Sequence, residues 1–272
     1  MKVAEIPTSR ASVPRQNPYA RWRDGTLILV YLLMAVHIVH WKISGKTLAP
    51  LELNEVMYTL ELGIVTAGFL FMLGVTLATM VFGRVFCSWG CHILALQDLS
   101  AWILAKLRIR PKAIRSRVLA WVPVAAALYM FVWPQALRLH YGAPLRRLHM
   151  RSDAQGWASL VTENFWRNLP TPAIAILTFG VCGFLVVYVL GSRGFCTYGC
   201  PYGAIFRLAD RVAPARIRLK EDDCLSCGAC TAVCKSHIRV HEELNRYGMV
   251  VNPACLRDLD CVAACPKGNV AY

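Results

Sequence analysis

Long apolar runs alternate along the chain with short polar and basic connectors. Four of them approach the roughly 20 residues a helix needs to cross a bilayer core: about Thr26 to Lys42, Val56 to Phe82, Val118 to Trp133 and Ala173 to Leu190. Each predicts a transmembrane helix. The first has basic residues before it and no small-residue cleavage site after it, which reads as an uncleaved anchor. Beyond the fourth run the character changes, and Ala213 to Tyr272 is polar and dense in cysteine. A tail this short buries little apolar surface, so it relies on metal or disulfides.

The pattern predicts an α-helical membrane protein with four transmembrane helices and a small α+β domain at the C-terminus. Its parts are an N-terminal segment (1–25), a membrane domain (26–212) and the tail (213–272). Composition agrees: 56% of residues are hydrophobic and only 17% are charged. The net charge of +14 reflects membrane topology, because the Lys and Arg flank apolar runs and form no nucleic-acid module. Lys2, Arg10, Arg15, Arg21 and Arg23 precede the first run, and Lys106, Arg108, Arg110, Lys112, Arg115 and Arg117 follow the second. By the positive-inside tendency both stretches are cytoplasmic, and an even number of spans returns the C-terminus there. The loop from Pro134 to Pro172 then faces outward; its Arg138, Arg146, Arg147, Arg151 and Arg167 weaken the bias without reversing it. A bacterial-type inner membrane is the expected location.

Seven of the 12 cysteines lie from Cys224 onward. "CLSCGACTAVC" spaces Cys224, Cys227, Cys230 and Cys234 as the ferredoxin run Cys-x2-Cys-x2-Cys-x3-Cys, whose fourth member ligates the other cluster. "CLRDLDCVAACP" supplies Cys255, Cys261 and Cys265, with Asp258 where a second cysteine would stand. The expected sets are Cys224, Cys227, Cys230 and Cys265 for one cluster, and Cys234, Cys255, Cys261 and Asp258 for the other. One is a [4Fe-4S] cluster; the second is [4Fe-4S] or [3Fe-4S]. Asp258 has three readings: a carboxylate ligand, the mark of an open corner, or a solvated turn acid. Asp260 is a weaker substitute by spacing. His237 and His241 read as exposed polar residues.

Two further pairs, Cys87 with Cys91 and Cys196 with Cys200, follow the second and fourth runs. If the helices continue, i and i+4 put both sulfurs of a pair on one face. Arg84 and Arg193, Phe86 and Phe195, Gly90 and Gly199, and more loosely Asp98 and Asp210 match between the copies. Packed side by side, the four cysteines would form one shared metal or iron-sulfur site at the membrane face. Thiol redox chemistry and plain packing are the alternatives. His92 is a weak added ligand, and Cys182 reads as a buried apolar side chain. His37, His40, His140 and His149 read as interfacial histidines, with a quinone head group as the alternative use.

"FCSWGCHILALQDLSAWI", "FCTYGCPYGA" and "CLSCGACTAVC" together resemble the membrane-bound polyferredoxins related to NapH, NosR and CcoG. That resemblance implies an iron-sulfur electron-transfer subunit, a component of a quinol-linked oxidoreductase. It would pass electrons between the quinone pool and other redox subunits or soluble carriers. The alternative it implies is a copper-handling or cupric-reductase assembly protein using the paired cysteines, since soft thiolates favour Cu(I). A passive anchor for another redox subunit is a third reading. The chain departs from the family pattern at His92, where proline is usual, at Asp258 and at Lys235, and it has no counterpart of a flavin domain.

Overall fold

Asn17 opens the first helix by accepting a hydrogen bond from the Ala20 amide at 3.2 Å, with Pro18 in the first turn. The cap satisfies an amide that the helix cannot, and proline loses nothing where no donor is needed. This helix, α1 (Pro18–Ser44), ends at Gly45 in the left-handed conformation. The structure is a computed structural model describing residues 17–51, 55–114, 116, 118–151, 159–165, 171–220 and 224–272. Lys2, Arg10, Arg15, Arg115, Arg117 and Arg167 lie outside the described residues.

The second apolar run is not the single helix predicted. It divides into α2 (Glu55–Leu62) and α3 (Ala67–Phe82). Gly63 breaks it at φ +77, with the Arg147 carbonyl 2.5 Å from where a Cβ would stand. His149 takes over the pairing, donating to the Gly63 carbonyl and accepting from the Val65 amide, and Thr66 caps α3 through the Phe69 amide. Sixteen residues of α3 rise about 24 Å, short of a hydrocarbon core of roughly 30 Å.

Next come α4 (Val85–Trp89) and α5 (His92–Lys106), then α6 (Leu119–His140) and α7 (Pro172–Leu190). Among the described residues α1, α6 and α7 are the helices long and apolar enough to cross a membrane. Helix α6 outruns the predicted Val118-to-Trp133 segment because Pro134 does not stop it. A π turn over Leu128–Val132 widens the helix just before the proline and absorbs its missing donor.

Beyond α7 lie α8 (Gly194–Tyr198) and α9 (Pro201–Asp210). The succession α3, α4, α5 is thus repeated as α7, α8, α9: a long apolar helix, a five-residue helix, then a helix entered through a cysteine. The copies exchange partners, with α5 packing on α7 and α9 on α3 and α6. Gly183 permits the first contact, because a Cβ there would sit 2.7 Å from the Ser100 hydroxyl.

Short antiparallel pairs tie the ends. Strand β1 (Thr47–Leu48) pairs with β2 (Val161–Thr162), Thr47 opposite Thr162. In the tail, β3 (Arg218–Leu219) pairs with β4 (Val270–Ala271), enclosing α10 (Ala229–Ala232), α11 (Val240–Tyr247) and α12 (Asp260–Ala263). The tail meets the first turns of α1 through Arg23 and Asp260 (3.2 Å), and the chain leaving α3 through Arg84 and the Pro253 carbonyl (2.8 Å). It also meets the chain leaving α7, through Arg193 and Asp258 (3.3 Å). Helix α1 therefore starts, and α3 and α7 end, on the tail's side. Helix α6 ends on the other, where Gln135 donates to the Leu60 carbonyl.

Candidate metal centres

The two cysteine loops of the tail share one backbone. Ser226 and Gly228 have φ of 51° and 74°; Arg257 and Leu259, at the same offsets from Cys255, have 62° and 64°. A four-residue helix follows each loop, α10 and α12. Asp258 consequently holds the backbone position that Cys227 holds in the first loop. Left-handed residues alternating with right-handed ones turn successive amides to one side, a nest suited to anionic iron-sulfur groups. The second loop accepts strain for it, since Leu259 replaces glycine at a cost of about 1–2 kcal/mol.

Cys224, Cys227, Cys230 and Cys265 line one cavity. Cys234, Cys255, Asp258 and Cys261 line another. The sets expected from spacing thus each gather around a separate space. Burial pushes the Cys230 thiol up to about 11 and Cys234 to about 12 and lifts Cys261, with neighbouring sulfurs adding to each; it also lifts Cys255, against the pull of Arg257. Such pockets hold thiolates when metal cations neutralise them. Asp258 lines its cavity while its carboxylate pairs with Arg193, 3.3 Å from Oδ2 to Nε. Asp260 also borders this space, but its carboxylate takes hydrogen bonds from Arg23 and Asn17. His237 and His241 are half-buried, not exposed as expected, and His241 bonds the Thr231 hydroxyl at 2.8 Å.

At the other site the helical i,i+4 geometry is corrected. Gly90 and Gly199 end α4 and α8, and Cys91 and Cys200 are extended N-cap residues of α5 and α9. Each cap cysteine thereby faces the amides of the next helix. Ile93 and Leu94 serve Cys91, and Tyr202 and Gly203 serve Cys200. A helix N-terminus favours thiolate. Burial and adjacent sulfurs win over the amides at Cys91, pushing it up to about 12, and over Arg193 at Cys196, whose thiol stands well above the ordinary range.

The four cysteines do come together: Cys87 and Cys196 belong to one buried cluster, and Cys91 and Cys200 pack against it. Arg84, fully buried, lies beside Cys87. Gln97 of α5, also fully buried, donates its side-chain amide to the Cys196 sulfur at 3.6 Å. Among the described residues no three His, Cys, Asp or Glu side chains close tightly enough for a single metal ion. A cluster asks for wider spacing, because each thiolate binds a different iron. His92 contributes its carbonyl, which accepts from Tyr31 at 3.1 Å, and burial lowers the pKa of its half-buried ring. Cys182 is half-buried within α7.

Two family models match this chain. The "4Fe-4S binding domain" covers residues 64–111, and the "4Fe-4S dicluster domain" covers residues 193–238. The first contains Cys87 and Cys91; the second runs from Arg193 through Cys234. Similar proteins include the methylamine utilization ferredoxin-type protein MauN of Methylobacillus flagellatus, 26% identical over 63% of this chain and 52% of its own. The ferredoxin-type protein NapH of Haemophilus influenzae is 25% identical over 68% and 60%. The chain is similar to the ferredoxin-type proteins NapH and MauN, and it carries two matches to 4Fe-4S models. The chain also resembles the putative electron transport protein YccM of Escherichia coli, 23% identical over 75% of this chain and 54% of that one. The alignments with MauN and YccM take in about half the length of those relatives. No solved structure matches.

The matched models are of 4Fe-4S binding, and they fall on a chain with three helices, among the described residues, long and apolar enough to cross a membrane. Spacing had singled out every thiolate that gathers at these sites. It missed Gln97 and Arg257, which carry no motif and act through contacts distant in sequence. A polar residue inside the apolar face of α5 was the one available signal for Gln97.

Proposed function

We propose that this polyferredoxin relays electrons between the quinone pool and a partner redox protein through three thiolate-held iron sites. Cys224, Cys227, Cys230 and Cys265 would hold one cluster. Cys234, Cys255, Cys261 and Asp258 would hold the second, with Arg193 orienting the carboxylate as an outer partner orients a metal ligand. Cys87, Cys91, Cys196 and Cys200 would hold the third. Iron-sulfur groups supply one-electron transfer, which divides the two electrons of a quinol. The protein part anchors the sites, excludes water from the buried sulfurs and sets the charge around them.

One observation carries the reading: the second cysteine loop is docked on the paired-cysteine site. Ser88, next to Cys87, donates to the Leu256 carbonyl at 2.7 Å, and Trp89 donates to the Arg257 carbonyl at 3.1 Å. That docking would set the paired-cysteine site beside the second cluster, with the first cluster next along the tail. Four membrane passes, with both termini and the basic 106–112 stretch cytoplasmic in a bacterial inner membrane, fit the sidedness of the helix ends. The segments 1–25, 26–212 and 213–272 follow as N-terminal segment, membrane domain and tail.

Anaerobic purification with iron, sulfide and copper analysis tests this. Wild type should carry iron and sulfide for three sites and be reduced by quinol. Cys87→Ser and Cys200→Ser should each lose one site's share while keeping the tail signals. Unchanged iron in both variants removes the third site, and copper in its place supports paired-thiolate copper handling instead.

A further inference from the structure

Between the tail and α8 lies a cavity of about 110 Å³, roomier than the roughly 30 Å³ that one water occupies in the liquid. Leu190, Ile238 and Ala254 give it apolar walls, and Tyr198, Lys235 and His237 give it polar edges. A pocket at an interface with a few converging polar groups is the usual form of a small-molecule site.

Charge narrows the ligand. The cations at this cavity already have partners: Arg193 pairs with Asp98 at 2.6 Å and Asp258 at 3.3 Å, and Lys235 with Asp98 at 3.6 Å. Asp98 and Asp258, just off the wall, offset the charges of Arg193 and Lys235. A neutral ring with acceptor oxygens suits the cavity better than an anion. Position narrows it further. Lys235 follows Cys234, and Thr197, which also borders the cavity, follows Cys196. Leu190 is the last residue of α7, an apolar helix of membrane-crossing length, so the cavity stands where a lipid-soluble molecule would arrive. The outer histidines are otherwise engaged, His37 with the Leu48 carbonyl and His40 with the Thr47 hydroxyl, each at 2.9 Å.

We propose that this cavity binds a quinone head group, its ring between the Leu190 and Ile238 walls and its oxygens facing Lys235 and His237. The proposal rests on the quinol-linked reading above and gives that reading a place. A quinol bound there becomes quinone by giving up two electrons and two protons. Iron held by the flanking Cys196 and Cys234 sets would accept one electron each, and the two protons would leave to water at the Lys235 edge, where the side chain is 34% exposed.

The test uses the full-length, iron-loaded protein in lipid nanodiscs, with duroquinol as donor and dithionite as a control. Leu190→Trp fills the cavity. His237→Asn removes the ring while keeping a residue that tolerates its left-handed backbone, φ 53°. Both variants should slow reduction by duroquinol by roughly tenfold or more, with dithionite reduction unchanged. An azidoquinone should label residues 190–198 or 235–238. Wild-type rates in both variants, or label confined to residues 37–48, overturn the placement while leaving quinol oxidation intact. A wild-type protein that duroquinol fails to reduce overturns the quinol-linked reading and this proposal with it.

Discussion

Gln97 shows how much one side chain adds beyond the ligands. Six residues after Cys91 it turns an amide toward the sulfur of Cys196, in the other copy of the repeat. The matching residue six beyond Cys200 is Phe206, which has no donor to offer. At this position, then, only the first copy offers a donor to a cysteine sulfur of the other. Hydrogen bonds to cluster sulfurs are among the levers on reduction potential, and donation favours the more negative, reduced form. Gln97→Leu should shift the midpoint of the paired-cysteine site to a more negative potential in a redox titration followed by electron paramagnetic resonance, with iron content unchanged. A midpoint equal to wild type would mean the amide does not act on that sulfur.

At the level of elements, the apolar runs were legible and their interruptions were not. Periodicity and length gave α7 within a residue and the end of α1 within two, but α1 starts at Pro18, eight residues before the apolar run, because its first turns are polar and capped by Asn17. The Val56-to-Phe82 run hid a break, since the carbonyl that occupies the Cβ position of Gly63 comes from Arg147, far along the chain. The paired cysteines were expected on one helical face, yet Gly90 and Gly199 close the short helices first. Spacing cannot tell a continuing helix from one that stops and restarts at a cap. The contact of α5 with α7 is equally tertiary. Gly183→Ala should destabilise the protein by roughly 1–3 kcal/mol through overpacking, and Ser100→Ala should restore most of the loss by removing the hydroxyl in the way. Thermal unfolding in detergent of the two single variants and the double variant measures the coupling.

Over the whole molecule, buried ion pairs join the tail to the membrane part. Arg257 and Asp210 meet at 2.7 Å, with their side chains 2% and 7% exposed. The burial of Asp98 opposes its charge, but Arg193 and Lys235 outweigh that and hold its carboxyl below the ordinary range. Removing one partner leaves the other charged and dry, which costs about 3–5 kcal/mol for a pair of this kind. Asp210→Ala should loosen the tail, raising amide hydrogen exchange across residues 253–261; wild-type protection there would show that the pair does not secure the docking. Arg84, Arg193, Asp98 and Asp210 were visible in the sequence as matched positions of a repeat. Their partners were not, because the pairing crosses between the copies and into the tail.

That crossing has a bearing on biosynthesis. Helix α5 finds its partner only when α7 exists, and the buried Arg23 meets Asp260 only when the second cysteine loop of the tail has been made. The amino-terminal half thus leaves the ribosome with an incomplete core, two cysteines without their mates and a guanidinium without its carboxylate. A metal held by Cys87, Cys91, Cys196 and Cys200 would have to wait until the second copy of the repeat is made, so the order of synthesis would itself guard against a half-built site.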